Sequence, residues 1–260
     1  MPRQARTKSK TQIYHIMWRG ANRQEIFHDE EDWKQFLDIL KKYKLTCELT
    51  FYAWCLMGNH VHLLIKEGNE DISTTMKRIG VSYAGYYNWK YRTTGHLFQD
   101  RFKSENVETK QYLLTAVRYI HQNPVKAGIV RRCDAWKWSS CPGYYDKQND
   151  PTDLLNCRAI IKMFSDDITI AREKFKQFNE QNNDDQCLED QPRQKRLTDE
   201  EARLEIMKLL GLGAEEIAQV KSLPKVTRQE VLRKVKEIDG LSLRQAARIF
   251  GVSLSLISRA

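Results

Sequence analysis

Hydrophobic and polar side chains alternate along residues 60–66, HVHLLIK, and this alternation predicts a β-strand. In an extended chain alternate side chains share one face, so His60 and His62 lie together while the apolar residues between and after them take the other face. The preceding stretch, CELTFYAWCLM, is rich in aromatic and β-branched residues and ends at a Gly-Asn break. The two stretches therefore predict an antiparallel hairpin whose second strand begins with the histidines.

Apolar spacing predicts further elements on both sides of this hairpin. A strand (TQIYHIMWR) and a helix (DEEDWKQFLDILKKY) precede it. A helix (DISTTMKRIGVSYAGYYNWKYR), a loop with a strand (HLFQDRFKSENVE) and a helix stopped by Pro124 (TKQYLLTAVRYIHQN) follow it. The order β-α-β-β-α-β-α predicts an α+β fold of the ferredoxin-like kind, an antiparallel sheet with helices on one face.

The rest of the chain divides into a closing region, a linker and a second helical unit. The stretch WKWSSCPGYY is expected to close the first domain near residue 146, and NEQNNDDQCLEDQPRQKR has the polar, charged composition of a linker. We therefore expect a first domain over residues 1–146, a helical extension and linker over 147–196, and an all-α unit over 197–260. Helix starts with capping-box spacing are Thr198 with Glu201, Thr227 with Glu230, and Ser242 with Gln245.

The final stretch, LSLRQAARIFGVSLSLISRA, has the pattern of a helix-turn-helix. Gly251 takes the tight turn between two crossing helices, the second of which starts near Ser253. Small polar residues and one arginine on this second helix suit the major groove of duplex DNA: Ser253, Ser255 and Arg259. The alternative is a helical hairpin that only packs or mediates dimerisation.

The amino-acid composition indicates what kind of partner and which cellular compartment to expect. The 260 residues carry 43 Lys and Arg against 34 Asp and Glu, a net charge of +9 that favours a polyanion such as nucleic acid. The six cysteines form no CxxC pair, which we interpret as reduced thiols in a cytoplasmic protein. No apolar run approaches the roughly 20 residues that span a bilayer, so we expect no membrane protein.

The helix before Pro124 carries two stripes at helical spacing. An apolar stripe should face the sheet, and a polar stripe combines tyrosines with an amide: Tyr112, Thr115, Tyr119 and Asn123. If this polar stripe borders the strand with His60 and His62, a phenol, an amide oxygen and two imidazoles converge. A metal held by the imidazoles and the amide would polarise a phosphodiester while Tyr119 attacks phosphorus and becomes covalently attached.

The combination of HVH with the downstream segment RYIHQNPVKAGIV resembles the single-tyrosine HUH transposases, in particular the REP-associated tyrosine transposase branch. The resemblance also covers MPRQAR, YHIMWRGANRQEIF, LMGNHVHLLI, FQDRFKS, YLLTAVRYIHQNPVKAG and WSS, most of residues 1–145. It is weaker after residue 146.

This resemblance implies an HUH endonuclease fold and a transposase activity. It assigns Tyr119 as the nucleophile, His60 and His62 as the metal-binding pair, and Asn123 as the third ligand. The family acts on single-stranded DNA, often folded as imperfect hairpins, and forms a 5′-phosphotyrosine with Mg²⁺ or Mn²⁺. Since one tyrosine cuts one strand, joining two ends implies either a homodimer or successive cleavages.

Several alternatives remain open from the sequence. Tyr112 is the rival nucleophile on the same stripe, and His121 is interpreted as a surface or packing residue. No catalytic role is assigned to His15, His28 or His96. A DNA-binding regulator that keeps the fold without cutting is the competing function, and a phosphoesterase would need two HxT or HxS motifs that the chain lacks. Basic residues assigned to phosphate contacts are Arg3 and Arg6 in the N-terminal arm and Arg101 and Lys103 near the fourth strand.

Overall fold

A computed structural model gives the fold over residues 6–146, 153–185, 187–188, 197–238 and 240–260. The chain divides into two compact units, Met1–Glu189 and Asp190–Ala260. The predicted nucleic-acid contact Arg3 lies outside the described residues. Within these ranges, every helix is too short or too polar to cross a bilayer.

The first unit is built on a four-stranded antiparallel sheet. Its strands are β1 (Ile13–Arg19), β2 (Thr50–Leu56), β3 (His60–Lys66) and β4 (Lys103–Asn106), arranged in the order β2-β3-β1-β4. The two central strands pair so that Met17 lies opposite His62 and Arg19 opposite His60. This is the α+β, ferredoxin-like arrangement predicted from the order of elements.

Helices α1 (Glu30–Cys47) and α2 (Ile72–Tyr91) connect the strands and pack on one face of the sheet. The α1 start is fixed by Asp29, whose carboxylate accepts from the N–H groups of Glu31 and Asp32. Apolar residues of β3 that point to this face, including Leu63, are fully buried against helix residues such as Phe36. The expected placement of helices on one face therefore holds for the two connecting helices.

The third helix, α3 (Lys110–Lys126), corrects that expectation because it covers the opposite face. Its apolar residues, among them Val117 and Ile120, pack against Cys55 of β2 and Leu64 of β3. The helix also continues past Pro124 to Lys126, whereas the sequence predicted a stop at the proline. A proline this close to a helix end removes only one backbone hydrogen bond, so the last turn survives.

The first unit is completed by four short elements and one longer helix. A 3-10 turn (Cys133–Ala135), α4 (Cys141–Tyr144), α5 (Arg158–Ile161) and α6 (Ile168–Glu180) follow α3, and another 3-10 turn (Ala21–Arg23) follows β1. The α6 residue Phe175 stacks on Tyr144 with ring centroids 4.5 Å apart. His121 is buried between Asn179 and Ser140, which confirms a packing role. The described helices of the predicted extension thus belong to the first unit.

The second unit is all helical. It contains α7 (Asp199–Leu210), α8 (Ala214–Gln219), a 3-10 turn (Val220–Ser222), α9 (Lys225–Val235), α10 (Leu243–Phe250) and α11 (Leu254–Arg259). Thr198 and Glu201 form the predicted reciprocal cap, and Ser242 accepts from the N–H of Gln245. The Thr227 cap is wrong, because α9 begins two residues earlier, at Lys225, and Thr227 lies inside it. Gly251 takes the left-handed conformation (φ 63°) between α10 and α11, as the turn requires.

A close approach between α2 and β1 gives a sharp test of the packing. A Cβ at Gly80 would overlap the indole ring of Trp18, which is buried and stacks on Phe98 at 4.0 Å. We expect Gly80→Ala to lower the free energy of unfolding by about 1–3 kcal/mol, since overpacking outweighs the gain in helix propensity. Urea denaturation followed by tryptophan fluorescence measures this, because all six tryptophans lie in the first unit.

The same helix supplies the matched control. Gly85 has open space within 4 Å of the position that a Cβ would occupy. Gly85→Ala should raise the free energy of unfolding by about 0.4–1 kcal/mol through the lower entropy of the unfolded chain. Equal effects of the two substitutions would contradict the close packing of α2 on Trp18.

Candidate active site

The two predicted histidines lie at the start of central strand β3 on the face that α3 covers. Their ring centroids are 5.2 Å apart. His62 is 2% exposed, whereas His60, one residue from the hairpin turn, is partly exposed. The strand alternation therefore brings both imidazoles to one face, with the outer one open to solvent.

Tyr119 meets this pair from α3. Its ring centroid lies 5.7 Å from that of His62, and the residue is 2% exposed. The helix is long enough, and packs closely enough on β2 and β3, to place its third turn beside the histidines. The convergence expected from the polar stripe is thus present for the phenol and the buried imidazole.

Two further polar residues follow Tyr119 on the same side of α3. Asn123, one turn later, donates from Nδ2 to the Tyr119 carbonyl at 3.3 Å. Lys126, one more turn along, is exposed, and its Nζ lies 5.1 Å from the centroid of the Tyr119 ring. The sequence interpretation missed Lys126 because it ended the helix at Pro124.

His15 is the second residue that sequence reasoning missed. It lies on β1, is fully buried, and its Nε2 is 3.1 Å from Nδ1 of His62. Its ring centroid is also 5.8 Å from that of Tyr119. The alternation in IYHIMWR places His15 and Met17 on one face, but only the pairing of β1 with β3 reveals which histidine lies beside it.

Burial keeps the inner imidazoles uncharged. It lowers the pKa of His15 to about 3 and the pKa of His62 well below its ordinary value, the charges of His15, His60 and Arg19 adding to the effect on His62. A neutral imidazole is the form that binds a metal through a ring nitrogen. The electrostatics of this face are therefore compatible with a cation site.

The hydrogen bonds at the two histidines also fit metal binding. Nδ1 of His60 lies 2.6 Å from Oδ1 of Asn59, and Nδ1 of His62 lies 3.1 Å from His15 Nε2. A ring whose Nδ1 is hydrogen-bonded can bind a metal through the lone pair of Nε2, the usual arrangement of a ligating histidine. In the described parts of the chain, no three His, Cys, Asp or Glu side chains are grouped so that they could hold a metal ion.

The remaining histidines and the rival tyrosine have other partners. Nε2 of His28 lies 2.9 Å from the hydroxyl of Tyr87, and His96 is exposed in the loop before β4. The Tyr112 hydroxyl donates to Glu105 of β4. Burial, followed by this hydrogen bond, raises the pKa of Tyr112 far above its ordinary value.

Basic residues assigned to DNA contacts gather beside the edge strand β4. Arg6, Arg101 and Lys103 line a surface groove of about 520 Å³. The guanidinium of Arg6 lies 3.7 Å from the centroid of the Phe102 ring, and burial followed by the nearby charge of Arg101 lowers its pKa. Two like charges held close together make this groove attractive to an anion.

The residues assigned to the groove of duplex DNA lie on α11 and are exposed. Ser253 caps the helix by accepting from the N–H of Leu256, and its Oγ is 3.0 Å from Oγ of Ser255. Arg259 lies in the last turn. One of the three candidates therefore has a structural role as a cap.

Comparison with known proteins finds a family that part of the first unit resembles. Residues 8–123 match the model of the IS200-like transposases. A putative REP-associated tyrosine transposase of Haemophilus influenzae is 30% identical over 113 residues, which are 38% of this chain and 64% of that protein. The match thus spans less than two thirds of the relative's length.

A solved structure of a REP-associated tyrosine transposase bound to a REP hairpin also matches. It is 19% identical with a TM-score of 0.49, and the match covers 60% of this chain and 92% of that one. Over residues 8–123 the chain is similar to the IS200-like transposases, and the relative that it matches is a putative REP-associated tyrosine transposase.

Proposed function

We propose that the first unit cuts and rejoins single-stranded DNA through a covalent bond between Tyr119 and a 5′-phosphate. The observation that carries the proposal is the position of the Tyr119 ring, 5.7 Å from the His62 ring and 5.1 Å from Lys126 Nζ. Tyr112, the rival nucleophile, has its hydroxyl engaged with Glu105. The similarity of residues 8–123 to the IS200-like transposases supports the same reaction class.

The reaction is a transesterification at phosphorus. The phenolic oxygen of Tyr119 attacks and forms a new O–P bond, while the bond from phosphorus to the 3′-oxygen of the preceding nucleotide breaks. The phenol loses its proton and the departing 3′-oxygen gains one, so no proton is consumed. Because the phosphotyrosine is still a phosphodiester, a 3′-hydroxyl reverses the step and joins the strand without ATP.

A divalent cation, Mg²⁺ or Mn²⁺, would be held by Nε2 of His60, Nε2 of His62 and the amide oxygen of Asn123. When bound, it would neutralise charge on the phosphate oxygens and orient the phosphodiester for attack. Imidazole ligands favour Mn²⁺ over Mg²⁺ by their softness. The small number of protein ligands leaves coordination positions for DNA and solvent.

Lys126 places a positive charge near the phenol of Tyr119, where it would stabilise the negative charge that develops as the phenol loses its proton. At about 5 Å, a lysine stabilises a unit negative charge by roughly 1–3 kcal/mol, depending on how much water separates the two. Lys126→Met should therefore slow the formation of the covalent adduct about 10-fold in single-turnover assays. Lys110→Met, at the other end of α3, is the matched control and should leave the rate unchanged; equal rates for both variants would contradict the role of Lys126.

The DNA is proposed to be single-stranded and to carry a hairpin, as the resemblance to the REP-associated tyrosine transposases implies. Arg6, Arg101 and Lys103 would bind its phosphates along the β4 edge, with Arg3 of the N-terminal arm as a further contact. In the second unit, α11 would enter a duplex groove through Ser255 and Arg259. Joining two ends calls for a homodimer or for successive cleavages by one chain.

The test is direct detection of the adduct. The full chain is incubated with Mn²⁺ and a hairpin oligonucleotide labelled on the 3′ side of the cut, in the fragment whose 5′-phosphate becomes attached to the protein. A protein–DNA band that survives denaturation is expected. Peptide mass spectrometry should find the nucleotide on Tyr119. Hairpin binding without cleavage under Mg²⁺ or Mn²⁺ would overturn the proposal and favour a regulator that keeps the transposase fold.

A further inference from the structure

His15 contacts both the proposed nucleophile and a proposed metal ligand, but it takes part in no step of the proposed transesterification. It is fully buried on β1, with its Nε2 3.1 Å from His62 Nδ1 and its ring 5.8 Å from that of Tyr119. At this distance the two nitrogens share one hydrogen atom. That hydrogen belongs either to His62 or to His15, and the two cases have opposite consequences.

If His15 Nε2 donates, His62 is neutral with its own hydrogen on Nε2, and that nitrogen has no lone pair for a metal. If His62 Nδ1 donates instead, Nε2 of His62 carries the lone pair and can bind a cation. The second case forces the hydrogen of His15 onto its Nδ1. That atom is buried and lacks a hydrogen-bond partner within the described residues.

We infer that His15 is a positioning residue that accepts the Nδ1 hydrogen of His62 and thereby presents His62 Nε2 to the metal. This rests on the proposed function, because it assigns a role toward the proposed cation. Among the described residues Nδ1 of His15 has no partner in either case, so the bound cation decides between the two, because it requires the lone pair on Nε2 of His62. The amide oxygen of Asn59 lies close enough to Nδ1 of the partly exposed His60 to accept its hydrogen in the same way.

The tautomer itself can be measured in the full-length, metal-free protein. Long-range ¹H–¹⁵N NMR of histidine-labelled chain distinguishes a protonated Nδ1 from a protonated Nε2, and the His62 signals are assigned by comparison with single His→Gln variants. We expect His62 to carry its hydrogen on Nδ1 and His15 on Nδ1. A His62 hydrogen on Nε2 would overturn the inference whatever the enzyme does.

Metal affinity gives a second, independent readout. With Mn²⁺ alone as the probe, measured by electron paramagnetic resonance, His15→Met should weaken binding by about 10–100-fold, the usual effect of losing such a partner. His15→Gln, whose amide oxygen can accept the same hydrogen, should stay within about 3-fold of the wild type. Equal Mn²⁺ affinity in the wild type and His15→Met would also overturn the inference.

These outcomes separate the inference from the proposed function. Suppose that the wild type forms the covalent adduct and that His15→Met binds Mn²⁺ normally. That result would exclude the positioning role of His15 and leave the transposase proposal intact. Wild-type protein that binds no Mn²⁺ would remove the metal from the proposal, and the NMR result would still decide the tautomer. If His15→Met fails to fold, the NMR spectrum of the wild type and the His15→Gln affinity carry the test.

Discussion

Tyr119→Phe is expected to abolish the covalent protein–DNA adduct and to lower strand cleavage by on the order of 10³-fold or more, because the variant lacks the only atom proposed to attack phosphorus. The phenyl ring keeps the packing beside His62 and His15. Hairpin binding and the urea midpoint should therefore remain close to those of the wild type. Cleavage of a labelled hairpin on a denaturing gel measures the first effect, and a mobility shift measures the second.

Tyr112→Phe is the matched control on the same helix. Its hydroxyl donates to Glu105, so its loss should cost at most about 1.5 kcal/mol of stability and leave the adduct in place. An adduct that persists in Tyr119→Phe and disappears in Tyr112→Phe would move the nucleophile two turns along α3. Persistence in both variants would exclude a tyrosine of this helix.

His60→Ala is expected to reduce cleavage by about 10²–10³-fold, because a catalytic cation contributes several kcal/mol to the stabilisation of charge on the phosphate. His60 is the better choice for this test, since it is partly exposed and its removal opens no cavity in the core. Excess Mn²⁺ should restore part of the activity. In the wild type, EDTA should remove the activity and added Mn²⁺ should restore it.

The control for this substitution is His96→Ala. His96 is exposed in the loop before β4, and its loss should leave both cleavage and the dependence on Mn²⁺ unchanged. If His60→Ala cleaves like the wild type at every Mn²⁺ concentration, the imidazole pair has no role in holding a cation. Loss of cleavage in both variants would instead indicate a general effect on DNA binding.

Much of the site could be predicted because it depends on local periodicity. Alternation along HVHLLIK places His60 and His62 on one face, and helical spacing places Tyr119 and Asn123 on one stripe. Both patterns act within a single element, so they can be derived from a single sequence. The ferredoxin-like antiparallel sheet also followed from the order of elements, and the structure confirms it.

The residues that were missed depend on contacts between elements. The role of His15 requires the pairing of β1 with β3, which no pattern within β1 encodes. Lys126 joins the site only because α3 continues for one more turn beyond Asn123, although a proline lies inside that turn. The position of α3 on the opposite face from α1 and α2 was missed because the order of elements does not say which face is covered by a helix that follows the last strand.

The pairing of β3 on both sides has a consequence for how a strand of DNA reaches the phenol. Hydrogen bonds to β1 and β2 fix the backbone of the two histidines, and a central strand is released only when most of a domain opens. Helix α3 packs on the sheet through buried side chains, and Tyr119 is 2% exposed. The two imidazoles therefore stand on the side of the candidate site that strand pairing holds, whereas the phenol stands on a helix that can shift without breaking a strand pair.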